Sequence, residues 1–149
     1  MNVNAILALA GGLITPLIAV LAVLIAYRQY RVEYLNAKHN LFDRRFRVYQ
    51  STMAYVRAAA TSDGIPEKIT SDFIDARYEA QFLFSDDLNK VLREIYDRVC
   101  KIWVAERMRK ETPPEQEMSY VYEIRDQQHW FSRADTSVIG AFRKYLSLA

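Results

Sequence analysis

Glycine and proline are scarce in this chain, four of each in 149 residues. Few tight turns are available, which argues against a β-rich fold. Cys100 stands alone, so no internal disulfide forms, and a reducing compartment suits the polar part of the chain. The two histidines, His39 and His129, are far apart and lack Cys, His or Glu neighbours at metal-ligand spacing. Gly11, Gly12, Gly64 and Gly140 cannot compose a phosphate-binding loop. No nucleophile elbow, kinase loop or zinc-binding helix is present. Net charge is +2, too small by itself to indicate a nucleic-acid binder. Asp86 and Asp87 suit the start of a helix better than a metal site. These absences leave no enzyme reaction to argue for and imply no cofactor and no metal.

Charge is also missing where it matters most. Ala5 to Tyr27 is an unbroken apolar run without a charged side chain. About 20 apolar residues cross ~30 Å of hydrocarbon as a helix, so this run predicts a transmembrane segment. A cleaved signal peptide would want a basic start and a shorter apolar core of ~7–15 residues. Met1 to Asn4 carries no charged side chain, and Tyr27-Arg-Gln-Tyr-Arg31 follows the run directly. The expectation is an uncleaved signal anchor over 1–27 and a cytosolic helical domain over 28–149.

Arg28, Arg31, Lys38, Arg44, Arg45 and Arg47 follow the run, whereas no Lys or Arg precedes it. The positive-inside rule then places the N-terminus outside and the C-terminal domain in the cytoplasm. Tyr27, Tyr30 and Tyr34 fall at the membrane exit, where amphipathic rings favour the headgroup layer. Arg28 and Arg31 would meet anionic lipid, at ~1 kcal/mol each. Arg44, Arg45 and Arg47 complete the basic surface. Inside the run, Ala5, Ala8, Gly12, Thr15, Ala19, Ala22 and Ala26 alternate by three and four. Small residues on one face let membrane helices approach closely. This stripe predicts self-association or docking onto another membrane protein. Pro16 lies beside it and removes one backbone donor.

The apolar period continues without Gly or Pro through Leu35, His39, Phe42, Phe46, Tyr49, Met53, Val56 and Ala60, widened by Tyr34, Leu41, Val48 and Tyr55. That is the core-facing stripe of a bundle helix. Gly64 and Pro66 end it. A second helix is expected over about 66–84, with Ile69, Phe73, Ala76, Ala80 and Leu83 inward. Ser85 should cap a third, carrying Leu88, Val91, Leu92, Ile95, Val99, Ile102 and Trp103. Glu111-Thr-Pro-Pro-Glu115 breaks the chain again. Val121, Ile124, Gln128 and Phe131 mark a fourth helix, and Val138, Phe142 and Tyr145 a fifth. Ser132 and Asp135 could separate these two, although the period runs through them. The predicted fold is all-α: a transmembrane helix continuing into a long amphipathic helix packed in a cytosolic antiparallel bundle.

Leu41-Phe-Asp-Arg-Arg-Phe-Arg-Val-Tyr49 after an apolar run resembles a pattern in uncharacterised small bacterial single-pass membrane proteins. Phe82-Leu83-Phe84-Ser85-Asp86 and Phe142-Arg-Lys-Tyr-Leu146 are similar to later segments of those chains. The resemblance implies the same architecture in a bacterial inner membrane and no particular activity. The expected function is an interaction or scaffold protein that tethers a cytosolic partner, with a homo-oligomer as one form. The alternative is a membrane-disrupting effector, of a phage-defence or toxin system for example, acting through clustered transmembrane helices. An enzyme site built from scattered bundle residues is the third and weakest reading.

Overall fold

The computed structural model describes residues 3–61, 64–114 and 116–147, with side chains from Pro16 onward. Among the described residues all regular structure is helical: α1 (Val3–Ala59), α2 (Glu67–Leu83), α3 (Asp86–Glu111) and α4 (Glu117–Arg143). α1 is continuous across Pro16. The chain divides into two compact units, Met1–Asn40 and Leu41–Ala149.

The helix ends follow local chemistry. Gly64 adopts φ 78°, a left-handed conformation that a side chain disfavours, just after α1. Phe84 and Ser85 are extended and separate α2 from α3. Thr112 is extended before Pro113, as the clash with a proline ring requires, and its hydroxyl donates to the Met108 carbonyl at 2.6 Å.

Leu41–Ala149 is a helical bundle whose contacts run in opposite directions along each neighbouring pair. Arg44 meets Glu79 while Tyr55 meets Phe73, so α1 and α2 are antiparallel. Arg98 meets Gln127 while Arg109 meets Glu117, which makes α3 and α4 antiparallel. Tyr49 meets Phe142 while Arg57 meets Asp135, and α4 therefore also runs against α1. The short Phe84–Ser85 link turns α2 back into α3. The result is an up-down-up-down arrangement.

The core matches the expected stripes in α2 and largely in α3. Phe73, Ala76, Ala80 and Leu83 are buried, as are Leu88, Leu92, Ile95, Val99 and Ile102. Trp103 does not join them: the buried line runs from Val99 through Ile102 to Ala105 in steps of three, leaving Trp103 on the exposed flank. In α1 the buried face is Val48, Thr52, Met53, Tyr55, Val56 and Ala59, which includes Met53 and Val56 of the expected line but leaves Ala60 half-buried. Phe46 and Leu41 are exposed and Tyr49 is half-buried. In α4 the buried residue is Gln127, not Gln128.

The fourth and fifth expected helices are one. Ile124, Gln127, Phe131, Ala134, Val138 and Phe142 form a single buried line in α4. Ser132 does not cap, because its hydroxyl donates back to the His129 carbonyl at 2.9 Å within the same helix.

Among the described residues no helix is long and apolar enough to cross a membrane. Described side chains of the apolar run begin at Pro16, and Pro16 to Tyr27 rises only ~18 Å against the ~30 Å of a hydrocarbon core. The side chains of Ala5 to Thr15, the other half of the expected span, lie outside the described residues.

Candidate functional site

Side chains in Met1–Asn40 are exposed wherever described. Leu17, Ile18, Val20, Leu21, Val23, Leu24 and Ile25 range from 51% to 69% exposed. Ala19, Ala22 and Ala26 are exposed with them, while Ala8, Gly12 and Thr15 fall outside the described side chains. Tyr27, Arg28, Tyr30 and Arg31 follow, also exposed.

The basic cluster of the second unit is partly absorbed by the bundle. Arg44 donates from Nε to Glu79 at 2.7 Å. Arg45 is half-buried, donates to the Leu83 carbonyl at 3.3 Å, and lies 5.9 Å from the Phe84 ring centre and 5.7 Å from that of Tyr145. It therefore pins α1 to the α2–α3 turn. Arg47 stays exposed and borders an open cleft of about 390 Å³ with Ser51, Asp72, Asp75, Ala76 and Glu79. Carboxylates outnumber cations there, so the Arg44–Arg47 region is not a uniformly basic surface.

His39 is exposed, and His129 is exposed with Nδ1 accepting from Arg133. Among the described residues no group of His, Cys, Asp and Glu is placed to hold a metal ion. Asp87 pairs with Lys90 at 3.8 Å. Ser85 takes the N-cap position of α3 but makes no cap bond; its hydroxyl instead meets the Tyr145 hydroxyl. That contact lowers the Tyr145 phenol from its ordinary value.

Two features go beyond the apolar pattern, the Arg98 network and the hydroxyl of Tyr55. Arg98 reaches from α3 with Nε and Nη2 on Glu94 (3.0 and 2.9 Å) and Nη1 on the Gln127 carbonyl oxygen at 3.0 Å. Its guanidinium lies 4.2 Å from the centre of the Trp130 ring. The i,i+4 spacing of Glu94 and Arg98 suits the first half of this network, whereas Gln127 comes from a different helix that such spacing does not reach.

The second feature is Tyr55. It is fully buried and stacks on Phe73 with centres 4.1 Å apart, and its hydroxyl has no hydrogen-bond partner among the described residues. Burial raises its phenol well above the ordinary value, and Cys100 and Tyr96 add to this against Arg77. The half-buried Cys100 likewise holds Tyr96 up. A group raised in the folded state stabilises fully below its unfolded value, ~10 for tyrosine, and that contribution is lost as pH rises beyond it. Unfolding free energy should therefore fall above pH ~10 by up to ~1.4 kcal/mol per pH unit for Tyr55. Tyr55→Phe should flatten that decline. Removing an unsatisfied buried hydroxyl should also leave neutral-pH stability unchanged or raised by about 1 kcal/mol. Urea titrations of both proteins at pH 7 and 10.5 check this, and a loss of more than about 1 kcal/mol at pH 7 would point to a missed partner for the hydroxyl.

No family model, curated protein or solved structure matches the chain.

Proposed function

We propose that the chain is a membrane-anchored helical interaction protein, which holds a bundle at the bilayer surface as a tether or scaffold for a cytosolic partner. The observation that carries this reading is the bare apolar helix. Leu17 to Ile25 project around the whole circumference of α1, and each large apolar side chain among them is at least half exposed. A helix that is apolar all round needs lipid or a large protein core to cover it. Ala5 to Thr15 extends the same composition to about 20 residues.

The charge asymmetry supports a C-terminal domain on the cytoplasmic side, in a bacterial inner membrane by the resemblance above. Arg28 and Arg31, beside Tyr27 and Tyr30, suit anionic headgroups. The small residues Ala8, Gly12, Thr15, Ala19, Ala22 and Ala26 support self-association in the membrane, or docking on another membrane protein. The same stripe is what favours the second reading, an effector whose clustered helices disrupt the bilayer.

Fractionation tests the anchor. The chain should stay in the membrane pellet through high salt and alkaline carbonate, and release by either would end the reading. Crosslinking and overexpression then separate the two forms. Gly12→Leu should reduce the self-crosslinked fraction in both. Overexpression that collapses the membrane potential, and no longer does so with Gly12→Leu, would favour the effector. A co-purifying partner without toxicity favours the tether.

A further inference from the structure

We propose that Tyr27 to Ala37 of α1 is the contact seam of a parallel two-stranded coiled coil with a second copy of this chain. Tyr27, Tyr30, Tyr34 and Ala37 alternate by three and four, and Leu41 continues the spacing in the sequence. This is the period of a two-helix seam. The three tyrosines are 64%, 68% and 61% exposed. At ~100° per residue they fall within ~60° of the helix circumference. Tyrosines that served only the headgroup layer would gain nothing from sharing one side, since lipid surrounds a lone helix equally.

Charge identifies the occupant and its direction. Arg31 and Lys38 border one edge of the seam, and Glu33 borders the other. Glu33 is the single carboxylate between Tyr27 and Phe42. In a parallel pair, a residue on one edge meets the residue five further along on the opposite edge of its partner. Glu33 of each copy then faces Lys38 of the other. An antiparallel pair would instead set like edges together, Arg31 against Lys38. A seam this short is weak alone. It rests on the anchored reading for strength, because anchoring fixes both copies in one direction and raises their local concentration.

Site-directed crosslinking in the full chain tests the seam. In a Cys100→Ala background, Ala37→Cys and Asn36→Cys are compared in native membranes under mild copper–phenanthroline oxidation. Ala37 lies in the seam and Asn36 points away from it. A disulfide needs close Cβ atoms, so the Ala37→Cys dimer should form at least about fivefold faster. Adding Glu33→Lys should slow the Ala37→Cys reaction several-fold, and adding Lys38→Glu to that variant should restore it. Equal rates at the two positions, or no rescue by the reversed pair, would overturn the proposal. If the protein is found in the soluble fraction, the anchor has failed and not the seam. The same comparison at raised protein concentration then decides: the pattern upholds the seam and its absence sinks it.

Discussion

Phe142→Ala should destabilise the bundle by about 3–5 kcal/mol, the range for truncating a fully buried phenylalanine. The ring is 0% exposed and closes one end of the fold. It meets Tyr49 of α1 edge-on with centres 5.4 Å apart, and Phe84 of the α2–α3 turn at the same separation. One side chain thus joins the last helix to the first and to the link between the middle two. Truncation loses the transfer energy, leaves a cavity, and removes two aromatic pairs worth ~0.5–1.5 kcal/mol each beyond burial. For a unit of this size the midpoint of thermal unfolding should drop by about 10–20 °C. Thermal melts followed by circular dichroism measure it, and a drop under about 4 °C would show that the end of α4 is not integral to the core. Tyr145→Phe is the contrast. It removes only the Ser85 contact at a solvent-accessible edge, so its effect should stay below about 1 kcal/mol.

The architecture was readable because the breaks are chemically plain. Gly64 with Pro66, Ser85 with the two aspartates, and Thr112 with two prolines stand at the three observed turns. Ile124, Phe131, Val138 and Phe142 of α4 and Met53 and Val56 of α1 are buried as the apolar period expects, and the positions it missed are the polar ones. Thr52 and Gln127 are the polar residues buried among the described side chains, at 0% and 7% exposure. Each sits within its buried stripe, on α1 and α4, where a count of apolar positions passes over it. Both are admissible inside because both are satisfied: Thr52 donates to the Val48 carbonyl at 2.8 Å, and Gln127 accepts from Arg98. Neither partner is visible in spacing alone, since one is a backbone carbonyl and the other comes from a different helix.

The same limit applies to the basic surface. Arg44, Arg45 and Arg47 read as one patch in sequence, yet they lie in three directions around α1. Arg44 turns to Glu79 and Arg45 to the aromatic end of the bundle, which leaves Arg47 beside carboxylates. Cations adjacent in a helix are separated by ~100° each, so a run of arginines is shared among faces with different neighbours. Arg28 and Arg31 differ in that they follow an apolar run that supplies no carboxylate of its own.

Leu17→Arg together with Leu21→Arg should move the chain out of the membrane pellet. The two positions lie one turn apart near the middle of the Ala5–Tyr27 run. Replacing leucine by arginine at the centre of a membrane helix costs ~3 kcal/mol per site on insertion scales, hence ~6 kcal/mol for the pair. That is on the order of a 10⁴-fold shift in partitioning. Neither residue belongs to the buried core of Leu41–Ala149, so the helical signal and cooperative melting of the bundle should survive. Gln29→Arg with Asn36→Arg adds the same charge outside the run and should leave the protein in the pellet. If the Leu17 and Leu21 variant still resisted carbonate, the apolar run would not be what holds the chain there. A soluble Leu17 and Leu21 variant with an intact bundle would instead assign the exposed apolar circumference of α1 to lipid.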